Sequence, residues 1–147
     1  MSHYKTHIGN SPEIHQLATQ LRQKVFIDEQ GVPQDEIFDR LNEKATHVVI
    51  TDGHSPIATA RIIREGNPWR IGLVAVDRSF RGKKLGEQVM RVAIDYITSQ
   101  SENETGTEII LTAQQEVYAF YEKLGFEQYG ENITFESGFV LVPMRLI

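Results

Sequence analysis

The 147-residue sequence contains no cysteine, which excludes disulfides, thiolate metal sites and a cysteine acyl-enzyme together. No apolar stretch approaches the length of a membrane span, and the opening MSHYKTHIGN lacks the apolar run of a secretory signal. A soluble, cytoplasmic protein with no membrane partner is the expectation. Basic charge is not in excess either: 15 Lys+Arg stand against 20 Asp+Glu, for a formal charge of −5. That acidity removes the electrostatic footprint of a duplex-binding protein, so no nucleic-acid partner is expected, and it favours cationic small molecules. His3, His7, His15, His47 and His54 show no ligand spacing backed by acids on one helix, so no metal site is expected. Internal repeats and low-complexity tracts are missing too.

What is present suffices for a core. With 40% hydrophobic and 24% charged residues, residues 1–147 read as one globular domain. YKTHI alternates as a short strand. Ser11, Pro12 and Glu13 form an N-cap, a first-turn proline and a first-turn acid, and Ile14, Leu17, Leu21 and Val25 recur at helical spacing to about Val25. The acidic segment 26–45 reads as irregular, broken at Gly31 and Pro33. Two β-rich runs, 46–51 and 56–63, flank the hairpin signal Asp52-Gly53-His54-Ser55. EGNP marks another turn before a strand over 69–76. A helix follows from about Lys84 to Thr98, then a strand over 109–113 and a helix over 115–124 capped by Gly125. Strands near 126–134 and 139–146 close the chain. The order β-α-βββ-α-β-α-ββ predicts an α/β (α+β) fold, a mixed sheet with helices on both faces.

The stretch 78-RSFRGKKLGEQVM-90 joins an apolar strand to an amphipathic helix. A helix N-terminus carries unpaired N–H groups and partial positive charge, so it attracts anions. Gly82 and Gly86 would let the backbone approach a diphosphate, and Arg81, Lys83 and Lys84 add charge. A P-loop is excluded because Glu87 and Gln88 follow Gly86, and no G-x-G-x-x-G pattern is present. Taken alone, the turn is equally a cationic loop capping an ordinary helix.

Further along, FYEKLGF at 120–126 places Tyr121 four residues before Gly125-Phe126. With RGKKLG and the element order, this resembles the GNAT superfamily of acyl-CoA-dependent N-acetyltransferases over nearly the whole chain. The superfamily's pyrophosphate motif reads Gln/Arg-x-x-Gly-x-Gly/Ala. Arg81 and Gly86 match its ends, and Lys84 replaces its middle glycine. A lysine fits there if it has ordinary helical dihedrals in the first turn. The front half, 22-RQKVFIDEQGVP-33 with Glu36, Asp39 and 45-ATHVV-49, resembles the YjcF/ElaA-like branch. Asn42 stands where that branch usually has an acid, and Leu141 where it usually has a histidine.

The resemblance implies transfer of an acetyl group from acetyl-CoA to a primary amine of a small molecule or peptide. It implies that the backbone of Val74, Ala75 and Val76 holds the cofactor's pantetheine arm and polarises the thioester carbonyl. The pyrophosphate would lie on Arg81, Gly82, Lys83, Lys84, Leu85 and Gly86. Tyr121 would be the general acid, with Tyr118 beside the cofactor as a substitute. Glu29 is the first choice of general base, ahead of Glu36, Asp39 and His47. Arg22 and Arg61 could instead hold a substrate carboxylate or phosphate. Each of these side chains also has an ordinary structural reading, as a packed aromatic or a solvated charge. A non-catalytic acyl-CoA-binding module on the same fold is the competing function, and edge strands near the C-terminus offer a homodimer contact.

Overall fold

The computed structural model describes residues 4–135, 138 and 140–146. Its strands are β1 (Lys5–Gly9), β2 (Thr46–Thr51), β3 (Pro56–Arg64), β4 (Pro68–Val76), β5 (Glu108–Gln114), β6 (Phe126–Gln128), β7 (Ile133–Thr134) and β8 (Val140–Leu146). Among the described residues they form one eight-stranded sheet in the order β1-β2-β3-β4-β5-β8-β6, with β7 paired to β8. Every pairing is antiparallel except β4 with β5. The hairpin signal holds because Asp52 Oδ1 accepts from the N–H groups of His54 and Ser55, which fixes the β2–β3 turn.

Helices α1 (Pro12–Arg22) and α3 (Leu85–Gln100) cover opposite faces. Ser11 caps α1 by accepting from Ile14 N–H, and Pro12 fills the first position, where its missing N–H costs nothing. On α3, Leu85, Val89, Met90, Ala93 and Ile97 are buried against Val48, Ile50, Ala58, Ala60 and Ile62 of the sheet. Each large side chain so buried contributes roughly 1.5–3 kcal/mol. The short α4 (Tyr118–Lys123) joins the same core through Tyr121, and Gly125 (φ 103°) ends it in a conformation open to glycine. Under α1 lies a smaller apolar cluster of Leu21, Val25, Phe26, Ile37 and Ala75.

The chain departs from the sequence reading in the front half and at its end. Helix α1 does not stop near Val25. It continues as a π-helical stretch over Gln23–Glu29, which turns the adjacent Val25 and Phe26 inward together. Segment 26–45 is not wholly irregular, since it holds α2 (Gln34–Ile37) and a 3₁₀ turn at Arg40–Glu43. The expected strand over 126–134 is two short ones, β6 and β7. Residue 139, expected to begin the last strand, lies outside the described residues.

Candidate active site

Strand β4 is the element that makes a site possible. Opposite Ala60 it supplies two residues, Leu73 and Val74, where its partner β3 supplies one, since Thr59 pairs with Ala75 and Arg61 with Gly72. Leu73 takes φ 48° in this bulge, a left-handed conformation that costs a bulky residue about 1–3 kcal/mol. On its other edge β4 pairs with β5 only over Pro68–Arg70 with Glu108–Ile110. Beyond Arg70 the parallel strands part, leaving one edge of 71–76 with unpaired backbone groups. The cleft so opened has a volume of about 730 Å³, and Val74, Ala75 and Val76 line it.

At one end the cleft meets a second hollow of about 340 Å³, and Val76, Arg81, Gly86 and Phe120 line both. This hollow sits at the start of α3 and also takes in Gly82, Lys84 and Leu85. The N–H groups of Leu85, Gly86 and Glu87 donate to no backbone or side-chain group among the described residues, while Gln88 N–H reaches Lys84 O at 3.0 Å. A first helical turn with free donors beside cations fits a diphosphate. Gly86 sits close against the ring: an added Cβ would lie 3.3 Å from Phe120 and 3.7 Å from Val76 Cγ2, so the ring would have to give by a few tenths of an ångström.

Lys84 corrects the expectation of helical dihedrals. It is the N-cap of α3 at φ 63°, ψ 21°, the left-handed region, so it occupies a glycine conformation with a lysine side chain. Lys83 lines neither hollow and lies over the Phe80 ring, 5.1 Å from its centre.

Tyr121 lines the cleft and is buried, with its ring edge-on to Phe120 and Phe126. Burial pushes its phenol up to about 12, so the hydroxyl keeps its proton at any physiological pH. Tyr118 lines neither hollow and packs half-buried against the core.

The expected acids separate clearly. Both carboxylate oxygens of Glu29 accept from Arg81, at 2.6 and 2.8 Å, and Glu29 does not line the cleft. Those hydrogen bonds hold its carboxyl below the ordinary range and push the Arg81 guanidinium up. Asp39 accepts from Arg61 at 2.8 Å. His47 is fully buried: its Nδ1 accepts from Arg22 Nη1 at 2.9 Å, and its Nε2–H donates to Asn42 O at 3.0 Å. Of the four proposed bases, only Glu36 lines the cleft.

The two arginines proposed for substrate binding lie in this buried network. Arg22 is 0% exposed, and its Nε and Nη2, like Arg61 Nε, have no hydrogen-bond partner among the described residues. Burial, then the neighbouring Arg61, lowers the Arg22 guanidinium to about 9. Arg61 also donates to Asn42 Oδ1 at 3.1 Å, a neutral acceptor, so among the described residues Asp39 is the one carboxylate paired with these arginines. Neither arginine lines the cleft. Cleft residues that spacing did not single out are Gln30, Val32, Thr112 and Gln114. The last two could have been read from their place at the end of β5, across the opening from β4. Among the described residues no group of three or more His, Asp or Glu could hold a metal, and no helix is long and apolar enough to cross a membrane.

Residues 13–147 match the family described as the acetyltransferase (GNAT) domain. Protein ElaA of Escherichia coli (strain K12) is 32% identical over 111 residues, covering 73% of this chain and 71% of that protein. The crystal structure of E. coli ElaA superposes with a TM-score of 0.84 over 100% of both chains, at 24% identity. The uncharacterised N-acetyltransferase YjcF of Bacillus subtilis (strain 168) is 26% identical over 118 residues, 80% of this chain and 81% of its own. An acyl-CoA N-acyltransferase from Pseudomonas aeruginosa shares the fold, with a TM-score of 0.82, 23% identity and coverage of 98% and 99% of the two chains. The parted strands, the glycine-lined start of α3 and these matches have one explanation: the chain belongs to the GNAT acetyltransferase family, in the branch that contains YjcF and ElaA.

Proposed function

We propose that this protein transfers an acetyl group from acetyl-CoA to a primary amine by direct attack on the thioester. The observation that carries the reading is continuity: the opening between β4 and β5 runs into the free N–H groups of α3, and Tyr121 stands in its wall. Acetyl-CoA supplies an acyl group activated as a thioester. The N–H groups of Leu85, Gly86 and Glu87, with the charge of Lys84, would hold its diphosphate. The unpaired edge of Val74–Val76 would pair with the pantetheine amides and direct an N–H at the carbonyl oxygen. Arg81 contributes mainly by bracing, because its Nε donates to Val76 O at 3.1 Å and its other arms hold Glu29.

In the transfer a C–N bond forms and the C–S bond breaks. Tyr121 donates a hydrogen bond to the departing sulfur. Full proton transfer from a phenol near 12 to a thiolate of ordinary pKa, roughly 8.5, is uphill, so Tyr121 keeps its proton; the thiolate takes one from solvent, and the second proton of the attacked nitrogen is released to solvent. Glu36, rather than Glu29, takes the ammonium proton, directly or through a water, since Arg81 already occupies Glu29. The test is release of CoA thiol on mixing protein, acetyl-CoA and an amine. The reading requires release that depends on both partners. Binding of acetyl-CoA with no transfer to any amine would establish the non-catalytic module instead.

A further inference from the structure

The walls of the cleft say more about the acceptor than the acidity of the whole chain does. Away from α3, the cleft runs between the segment 25–37 and the sheet. Val25, Phe26, Val32 and Ile37 face it from one side, and Ile71 and Leu141 from the other. Its only charged lining residues among those described are Glu36 and Arg81. Arg81 stands at the α3 end and is held by Glu29. The remaining polar side chains of the lining, Gln30, Thr112, Gln114 and Tyr121, are neutral. The buried guanidinium groups of Arg22 and Arg61 lie outside it.

We infer that the acceptor is a monoamine with an apolar body, an alkyl- or arylalkylamine, whose single ammonium group meets Glu36. The inference rests on the reading of this cleft as the transferase site and narrows it. Glu36 itself is exposed, but a charge carried past it onto the apolar wall needs a partner, and an apolar surface there needs none. A polyamine or an aminoglycoside would bring further ammonium groups to walls that offer one carboxylate. A free amino acid would bring a carboxylate to walls with no uncommitted cation. An apolar body displaces water from Phe26, Ile37 and Leu141 at no such cost.

The experiment is a rate comparison by CoA-thiol release with phenethylamine, hexylamine, spermidine, kanamycin and alanine, using the full chain. The expected kcat/KM for phenethylamine or hexylamine exceeds that for the other three by at least about tenfold, one charge mismatch being worth that much or more. Leu141→Glu, which adds a second carboxylate to the wall, should narrow the gap by lowering the phenethylamine rate and raising that of spermidine. An unchanged acetyl-CoA-dependent thermal shift would show that this variant is folded. Spermidine, kanamycin or alanine turned over as well as the monoamines would overturn the inference and leave the transferase reading standing. Acetyl-CoA bound, but no thiol released by any amine, would overturn both.

Discussion

Arg81 grips Glu29 with both arms of its guanidinium, Nη1 to Oε2 at 2.6 Å and Nη2 to Oε1 at 2.8 Å, while its Nε donates to the carbonyl of Val76. The π-helical stretch, the end of β4 and the turn before α3 therefore meet at one side chain. Lys24 and Asp77, 2.7 Å apart, make a second tie between the same segments with the charges reversed. Glu29 is thus a brace for the site, and its substitution separates bracing from proton transfer. Glu29→Gln should leave kcat within about threefold of wild type, because an exposed pair contributes little on its own. A loss of a hundredfold or more in steady-state kcat would return the role of base to Glu29.

Glu36→Gln should behave differently. At neutral pH kcat/KM should fall by about 10²-fold, the usual scale for a removed general base. As pH rises toward the pKa of the amine the acceptor loses its own proton, so the deficit should shrink. A deficit that is constant across the pH–rate profile would mean that Glu36 only binds or packs.

Tyr121→Phe should lower kcat by about 10²-fold or more while acetyl-CoA affinity stays near wild type. Because burial raises the phenol to about 12, its protonated form persists to high pH. The wild-type rate should therefore show no alkaline fall from this group up to about pH 10. A titrating limb near pH 8–9 that vanished in the Phe variant would contradict the assignment.

Lys84 sits at φ 63° as the N-cap of α3. Glycine reaches that conformation without the side-chain clash, so Lys84→Gly should stabilise the fold by about 1 kcal/mol, a rise of a few degrees in Tm. If the turn holds the diphosphate as proposed, losing this cation should weaken acetyl-CoA binding by about two- to fivefold. A lower Tm would mean that the lysine makes a compensating interaction in the folded state.

His47 gives the protein an acid limit. Burial, then the adjacent Arg22, lowers its imidazole from 6.5 to about 4, so it is neutral in the fold. The unfolded chain takes up a proton there below its ordinary value, and the folded chain does not until about 4. Stability from this residue is therefore present above pH 6.5 and is lost as pH falls through about 4. Gln can keep one donor and one acceptor without titrating, so His47→Gln should flatten the fall of the urea midpoint over that window. An equal slope in both proteins would assign the acid sensitivity elsewhere.

Much of this was legible because the signals are local. Ser11-Pro12, Asp52 through Ser55 and Gly125 each act through neighbours a few residues away, and each does in space what its sequence suggests. The run of strands and helices from β1 to α4 followed from them. The π-helical stretch was hidden because Ile14, Leu17, Leu21 and Val25 keep ordinary helical spacing right up to it. The one hint was Phe26, apolar beside apolar Val25. The bulge at Leu73 and Val74 carries no turn residue of its own, and only Gly72 beside it hints at an interrupted strand. Pairings such as Arg81 with Glu29, or Arg22 with His47, join residues 52 and 25 apart and have no spacing signature. They decided which acid was free to face the cleft.

The most direct test of the central claim is calorimetric titration of acetyl-CoA into the folded protein and into Gly86→Val. In wild type, one molecule should bind per chain with measurable heat. In the variant, side-chain atoms would fill the space 3.3 Å from Phe120 and bar the backbone from the diphosphate, so binding should be lost while the circular dichroism spectrum is retained. No heat in the folded wild type, or equal binding by both proteins, would contradict the account.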